Sequence, residues 1–407
     1  MKKILILILL LLNQYFYSQQ YIKIMTYNIH DYTPYNPTPD NPTRLDWDNP
    51  ALKYVINYVK PDILVCQEVR DLASVNQLMN YVLDNNYAVA DFVESENMNS
   101  VLFYKEDKFI SLGNFIHPAE TRPFNEFPVV HRTTNDTLII FSVHLKANSI
   151  TSDNSENIRR RGVAADSIRK RTSQLPSNKN FIILGDFNTL LGSEPAIQKL
   201  IDKSYKGYVL DPLDAIGEWG DNPDYAFTHT MYAENLTVRF DMILISQAVK
   251  DPGGIEYVEN SYTVVGNDGK HFGKSINYGL NPYQRVLADS LISASDHLPV
   301  YAIFKFTGTT NIDELNNRFT FHLNQNYPNP FNSETTISYS ISYPSFIKLK
   351  VYDLLGNEIT TLVDDYKSAG NYQIKFNAEK FSLSSGIYFY KLVAENFSET
   401  RVMVYIK

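Results

Sequence analysis

Apolar runs of four to seven residues recur from Tyr21 to Phe306, and several end abruptly in polar side chains. Tyr21–Tyr27, Ile63–Cys66, Ser100–Tyr104, Leu138–His144, Phe181–Leu184, Arg239–Ile245 and Val300–Phe306 are rich in β-branched and aromatic residues. That texture predicts strands. Between them, Pro50–Val59 and the basic stretch Asn157–Gln174 carry helical patterns. Strands alternating with helices predict an α/β domain. Thr307–Arg318 is small, polar and aperiodic, and predicts a linker, set at residues 309–320. Beyond it the texture changes. Thr335–Ile341, Phe346–Tyr352, Glu358–Val363, Tyr372–Phe376, Ile387–Ala394 and Thr400–Ile406 predict strands. Leu-Gly-Asn, Ala-Gly-Asn and Ser-Ser-Gly mark the turns. Short strands with regular turns predict a small all-β, Ig-like sandwich over 321–407.

The N-terminus has a different pattern. Lys2 and Lys3 precede an unbroken apolar run, Ile4–Leu12, followed by Ser18-Gln19-Gln20. A charged start and a short apolar stretch predict a secretory signal peptide, residues 1–18. The run is too short to span a bilayer. No later stretch reaches eighteen apolar residues, so no stable membrane insertion of the mature chain is expected. Cys66 is the sole cysteine, so no intrachain disulfide can form. Set in Ile63-Leu64-Val65-Cys66, it reads as a small buried hydrophobe.

The chain has 407 residues, 44% hydrophobic, 20% charged and 13% aromatic. This composition excludes a disordered chain and a bundle of membrane spans. The net charge is -8. Residues 21–308 hold 26 Lys and Arg against 35 Asp and Glu, whereas 309–407 hold 9 against 10. The acidity therefore belongs to the first domain, where some of it can serve as metal ligands. It argues against bulk electrostatic coating of nucleic acid, for which domains are basic.

Candidate chemistry lies at strand ends. Met25-Thr26-Tyr27-Asn28 ends in an amide, and Val65-Cys66-Gln67-Glu68 ends in a carboxylate. Phe141-Ser142-Val143-His144 ends in an imidazole, and Leu184-Gly185-Asp186-Phe187-Asn188 in a carboxylate and an amide. Asp241 lies in an apolar strand, and Asp296-His297 directly precedes another. Singly, each residue reads as a turn or a cap. Together they offer oxygen ligands for a hard divalent cation, a base and two imidazoles. A Glu, an Asp and an amide suit Mg²⁺.

MTYNI (25–29), CQEV (66–69), FSVHLKA (141–147), ILGDFN (183–188), RFDMILIS (239–246) and ASDHLPV (294–300) resemble the endonuclease/exonuclease/phosphatase superfamily, which includes the DNase I-like enzymes. The six motifs appear in that family's order. The resemblance implies a four-layer α/β sandwich, two central mixed sheets flanked by helices, over residues 19–308. It implies a metal-dependent phosphoric ester hydrolase using Mg²⁺, with Mn²⁺ or Ca²⁺ as alternatives. On these positions Asn28, Glu68 and Asp296 would bind or position the metal. Asp186 and Asn188 would orient the attacking water and the transition-state oxygens. His297 would contact the phosphate or act as base, with Asp241 on its other ring nitrogen. His144 would hydrogen-bond the phosphate or protonate the leaving oxygen. The proton from water is left open between Asp186 and His297. Arg122 would face the substrate phosphate, or make a surface salt bridge. Arg159–Arg161 and Arg169–Arg171 read more as a solvated helix than as a nucleic-acid contact, because helical spacing spreads them around the axis. An insertion-like segment, 251–293, is expected to border the site, with His271 and Lys274 near substrate.

The tail resembles the C-terminal sorting domain of the type IX secretion system, through NYPNPFN (326–332), KLKVYDLLGNEI (348–359), AGNYQIKF (369–376) and SSGIYFYKL (384–392). This implies export to the cell surface or the medium by the type IX machinery. The expected activity is a secreted phosphodiesterase, foremost a nuclease on extracellular DNA or RNA, acting as a monomer. A phospholipase C-like sphingomyelinase or phosphoinositide phosphatase is the alternative enzyme. A silent surface binding module is the alternative of another class.

Overall fold

The computed structural model describes residues 19–33, 48–95, 98–148, 153–230, 235–308, 322–341, 345–367, 370–394 and 397–407. The expected signal peptide and linker 309–320 lie outside the described residues. The first domain runs β1 (Gln20–Tyr32), α1 (Asp48–Val59), β2 (Ile63–Val69), α2 (Leu72–Gln77), β3 (Tyr87–Val89), β4 (Asn99–Lys105), β5 (Phe109–Ser111), β6 (Phe115–His117), β7 (Phe124–His131) and β8 (Thr137–His144). It continues α3 (Ser155–Thr172), β9 (Phe181–Asp186), α4 (Pro195–Ile201), β10 (Val209–Leu210), β11 (Asp241–Ser246), α5 (Gln247–Lys250), β12 (Ile255–Tyr257), β13 (Thr263–Val264), α6 (Pro282–Ala294) and β14 (Val300–Phe306).

Two mixed sheets form from these strands. The first has the order β12-β14-β1-β2-β4-β3, with β13 on β14. The second has the order β10-β11-β9-β8-β7-β5, with β6 on β7. Each is built on one parallel pair, β1 with β2 and β8 with β9, flanked by antiparallel strands. Strands β8, β9 and β11 are buried along their whole length, which is why they read as near-continuous apolar runs. β14 alternates buried and half-buried residues, as a strand with one wetter face does. Helix α1 packs on α6, and α3 packs on α4. Strand β1 packs on β9 and β11, and β2 on β8 and β9. One apolar core includes residues of α1, α6 and both sheets, and a second lies between α3, α4 and the second sheet. The result is the expected four-layer α/β sandwich. Cys66 is fully buried, and burial pushes its thiol pKa up, so it packs as a hydrophobe.

Three local expectations change. The strand expected from Arg239 begins at Asp241, because Arg239 is drawn into a buried bidentate pair with Asp211. Segment 251–293 is part of the sandwich: β12 and β13 pair with β14, and α6 packs on α1. His271 is turned inward, with Nδ1 2.8 Å from Asp268 Oδ1, and the Lys274 ammonium lies over the Tyr278 ring. The arginines of α3 are only in part the solvated face expected: Arg159 and Arg160 stay about half exposed, whereas Arg161, Arg169 and Arg171 turn to partners within the fold. Arg159 and Arg160 pair with Glu156, Arg161 is buried on Glu194, Arg169 donates to the Leu200 and Asp202 carbonyls, and Arg171 grips Glu126.

The tail forms a second sandwich. β15 (His322–Leu323), β16 (Glu334–Ile341) and β19 (Gly370–Asn377) make one sheet. β17 (Ser345–Tyr352), β18 (Glu358–Lys367), β20 (Gly386–Ala394) and β21 (Phe397–Tyr405) make the other, in the order β18-β17-β20-β21. The pairings between these strands are antiparallel, around a core that includes Ile337, Leu349, Tyr390 and Met403. No described helix is long and apolar enough to cross a membrane.

Candidate active site

The parallel pairs bring their C-terminal ends to the same edge of the sandwich. In the second sheet His144 of β8 pairs with Asp186 of β9, and Asp186 pairs with Asp241 of β11. Adjacent strands lie about 4.8 Å apart, so one imidazole and two carboxylates form a single row across three strands. Gly185 permits this row: a Cβ there would lie 2.1 Å from the Val143 carbonyl oxygen, and its φ is +128°. Only glycine lets β9 approach β8 so closely just before Asp186.

The first sheet supplies the opposite side. Asn28 donates through Nδ2 to Glu68 Oε1 at 3.0 Å and to Asp186 Oδ2 at 3.1 Å, bridging the sheets. Its Oδ1 accepts the His30 amide. Glu68 sits at φ +63°, where the β2 register slips, and Asn188 at φ +52°. Non-glycine residues in this region are costly and cluster at functional sites. Glu68 Oε2 accepts the Asp31 amide at 2.8 Å. Asn188 donates its amide to Asp186 Oδ1 and its Nδ2 to Asp186 Oδ2 and Leu145 O.

His297 precedes β14 and reaches across to the row. Its Nδ1 lies 2.7 Å from Asp241 Oδ2, and its Nε2 is 4.0 Å from Asp186 Oδ2. Burial opposes charge on this ring, but Asp241, Asp186 and Asp296 outweigh it and push its pKa up to about 10. Asp186 is pushed up to about 7 by burial, against the pull of His297 and reinforced by Asp241 and Glu68. His144 is held well below the usual imidazole range by burial, with Arg122, His297 and Lys146 adding positive charge. Its Nε2 lies 3.4 Å from Glu68 Oε1 and 3.6 Å from Asp186 Oδ2. Arg122 donates to Leu145 O at 3.0 Å, so the surface salt bridge is not its contact. Burial lowers its pKa, opposed by Asp186 and Glu68.

The sequence-chosen residues Asn28, Glu68, His144, Asp186, Asn188, Asp241 and His297 thus meet, with Arg122 tied in through Leu145. Asp296 stands at the rim, one-third exposed, with Oδ1 3.5 Å from His30 Nδ1. Oxygen or nitrogen atoms of Glu68, His144 and Asp186 all lie within 4.8 Å of one another, a group able to hold a metal ion. Asp241 Oδ1 and Asp296 Oδ1 are buried without a hydrogen-bond partner. The carboxylates of Glu68 and Asp186, converging with the His144 ring, fit a divalent cation.

Further polar residues support the site in roles that the motifs did not suggest. Gln67 Nε2 donates to Ser142 Oγ at 3.1 Å, and Gln67 Oε1 accepts from Thr26 Oγ1, joining the sheets beneath the site. Thr230 Oγ1 accepts the Phe240 and Asp241 amides. Ser295 donates to Asn28 O and accepts the His297 amide. Gln67, Ser142 and Ser295 lay within quoted motifs, as polar residues beside apolar runs, and that was the available signal.

A sandwich of this topology, with this row on its strand ends, defines a DNase I-like α/β hydrolase domain. The chain belongs to the endonuclease/exonuclease/phosphatase family, whose profile matches residues 25–297. Membership places it among phosphoric ester hydrolases. Residues 325–407 match the secretion system C-terminal sorting domain, which marks the chain for export. The comparison with curated proteins finds no match. Among solved structures, a humanized D. rerio TDP2 carrying 14 mutations is 15% identical, with a TM-score of 0.48, over 70% of this chain and 98% of that one. An endonuclease/exonuclease/phosphatase family protein from Bacteroides thetaiotaomicron is 16% identical, with a TM-score of 0.48, over 73% and 98%. The human nocturnin catalytic domain with a bound sulfate anion is 17% identical, with a TM-score of 0.45, over 71% and 98%.

Proposed function

We propose that residues 19–308 form an exported, Mg²⁺-dependent phosphodiesterase that cleaves DNA or RNA, acting as a monomer. Residues 1–18 are its signal peptide, and 321–407 address it to the type IX machinery. One observation supports the reading most: the His144–Asp186–Asp241 row facing Glu68, with His297 fixed by Asp241 at 2.7 Å. Mg²⁺, with Mn²⁺ or Ca²⁺ as alternatives, would be held by Glu68 with Asn28 and Asp296, and would supply Lewis-acid charge at a phosphoryl oxygen.

The protein side chains then have separable tasks. Asp241 orients the His297 ring, favours its charged form and aims Nε2 into the site, the orienting logic of a hydrolytic triad. Asp186 and His297 flank a 4.0 Å gap where one water can touch both; His297, already protonated beside Asp241, offers positive charge there, and Asp186 takes the proton. Asn188 and Asn28 hold the Asp186 carboxylate by three N–H donors. His144 is neutral and acts as a hydrogen-bond donor to the phosphate rather than as an acid. Arg122 faces the same charge from the half-buried wall. The acid domain and the occupied arginines of α3 favour recognition of a short stretch of nucleic acid at the site.

The test uses purified protein with supercoiled plasmid, RNA, sphingomyelin liposomes and bis-p-nitrophenyl phosphate, in Mg²⁺ or EDTA, beside His297→Ala. Metal-dependent nicking or RNA loss, absent in the variant, is expected. Cleavage of lipid alone moves the reading to a phospholipase, and no hydrolysis at all overturns it.

A further inference from the structure

Arg161 is the outlier among the arginines of α3. It is fully buried, and its partner Glu194 is nearly so. Two N–H groups, Nε and Nη2, donate to Glu194 Oε2 at 2.9 and 2.6 Å. Nη1 donates to Lys146 O at 2.8 Å and to Asn148 Oδ1 at 2.9 Å. The second Glu194 oxygen accepts the Leu190 amide at 2.7 Å. Lys146 and Asn148 lie in the segment that follows His144 at the end of β8. Leu190 lies two residues beyond Asn188, in the segment that follows Asp186 at the end of β9. One ion pair therefore clasps the segments that carry three candidate catalytic side chains. The two segments meet again at Leu145 O, which accepts both Asn188 Nδ2 and Arg122 Nη1.

We propose that Arg161 and Glu194 are positioning residues for phosphodiester hydrolysis, setting His144 against Asp186 and Asn188 from behind. This rests on the hydrolytic reading of the site. A buried ion pair is a poor source of stability, since apolar residues of similar volume often replace it without loss. Its geometric yield is large: four N–H donors of a planar fork fix two segments at once, which an ammonium cannot do. Misplacing a catalytic group by about 1 Å costs roughly 100-fold in rate.

The decisive protein is the Arg161→Met/Glu194→Leu double variant of the full chain, with Arg160→Met as the control on the same helix. We expect a folded double variant whose kcat on bis-p-nitrophenyl phosphate falls roughly 30- to 100-fold. Its KM and its Mn²⁺ affinity, measured by titration of the metal alone, stay within about threefold. Amide exchange should quicken at Leu190 and over Leu145–Asn148. A folded double variant with wild-type kcat, or with unchanged exchange there, overturns the proposal. If the double variant does not fold, Arg161→Lys decides, with the same loss of kcat expected and an unchanged kcat overturning it. If the wild-type protein hydrolyses nothing, the functional reading fails, while the exchange measurement still tests the clasp.

Discussion

The two sandwiches of this chain treat charge in opposite ways. The first domain buries Arg161, Arg239, Asp186, Asp241, His144 and His297 almost completely. The tail, among its described residues, buries only the uncharged polar groups Asn326, Thr335 and Ser345. Its ion pairs, such as Lys350–Glu358 and Lys375–Glu334, sit at the surface. Burying a charge is expensive unless it is paired and hydrogen-bonded. A domain that repeatedly does so is spending stability on geometry, and the expense is concentrated where strand ends converge. A domain that avoids it needs only shape and surface, which suits a recognition signal.

The largest effect expected from that contrast is on catalysis. Asp241→Asn keeps the volume but removes the charge that fixes His297, and kcat/KM should fall about 10³- to 10⁴-fold. The tail should melt unchanged. A variant within tenfold of wild type would sever the link between buried charge and chemistry.

Stability offers the next test. Arg239→Ala strands Asp211 in the interior, where its bidentate partner is gone. It should cost about 3–5 kcal/mol in the first domain. Arg239→Met/Asp211→Leu should recover much of that loss. Leu349→Ala, in the apolar core of the tail, should cost about 2–5 kcal/mol through its cavity, without touching hydrolysis. Calorimetry of the full chain, with hydrolysis assayed on each variant, separates the two. Loss of hydrolysis in Leu349→Ala would break the comparison.

The same contrast explains what could be read in the sequence. The tail was legible almost strand by strand because alternation in an antiparallel sandwich with one solvated face is a direct print of burial. Asn28, Glu68, His144 and Asp186 were legible because a polar residue closing an apolar run has few neighbours to confuse it, and His297 because it stands just before such a run. Arg161 was not: three consecutive arginines look alike, and only the position of Glu194, 33 residues away, buries one of them. Gln67 was hidden for the same reason, since its partners Thr26 and Ser142 come from other strands. Segment 251–293 was obscure because β12 and β13 are short strands whose existence depends on β14.

A titration should sharpen the comparison without touching the site. His131, on β7, packs against Phe109 and Phe306 and hydrogen-bonds Thr134. Burial, with the Lys108 charge added and Asp62 opposing, pushes its pKa down to about 4. The unfolded ring titrates near 6.5, so the folded protein holds it neutral while the unfolded chain takes up a proton. Its contribution is complete above about pH 6.5 and is lost as pH falls from there to about 4. The loss is about 3 kcal/mol for the first domain. His131→Asn should flatten that slope in urea unfolding at stepped pH. The tail should show no matching slope. An unchanged slope in the variant would mean that other buried groups carry the acid sensitivity.

The smallest effect lies on the tail's outer face. Lys350 and Lys391 are directly opposed on β17 and β20, both half-buried on the same side of the sheet. Like charges facing each other across a strand pair destabilise it. Lys350 is partly relieved by Glu358 on β18, at 2.8 Å, which leaves Lys391 as the unfavourable member. Lys391→Glu turns repulsion into attraction and should raise the melting temperature of the tail by about 2 °C at low salt. The gain should shrink as ionic strength rises, because the pair is near the surface. Where charge stays wet, as here, its energetics are small and tunable by salt, whereas the buried charges of the first domain should show almost no salt response. A salt-independent gain in Lys391→Glu would mean that the tail, too, uses charge as a structural device.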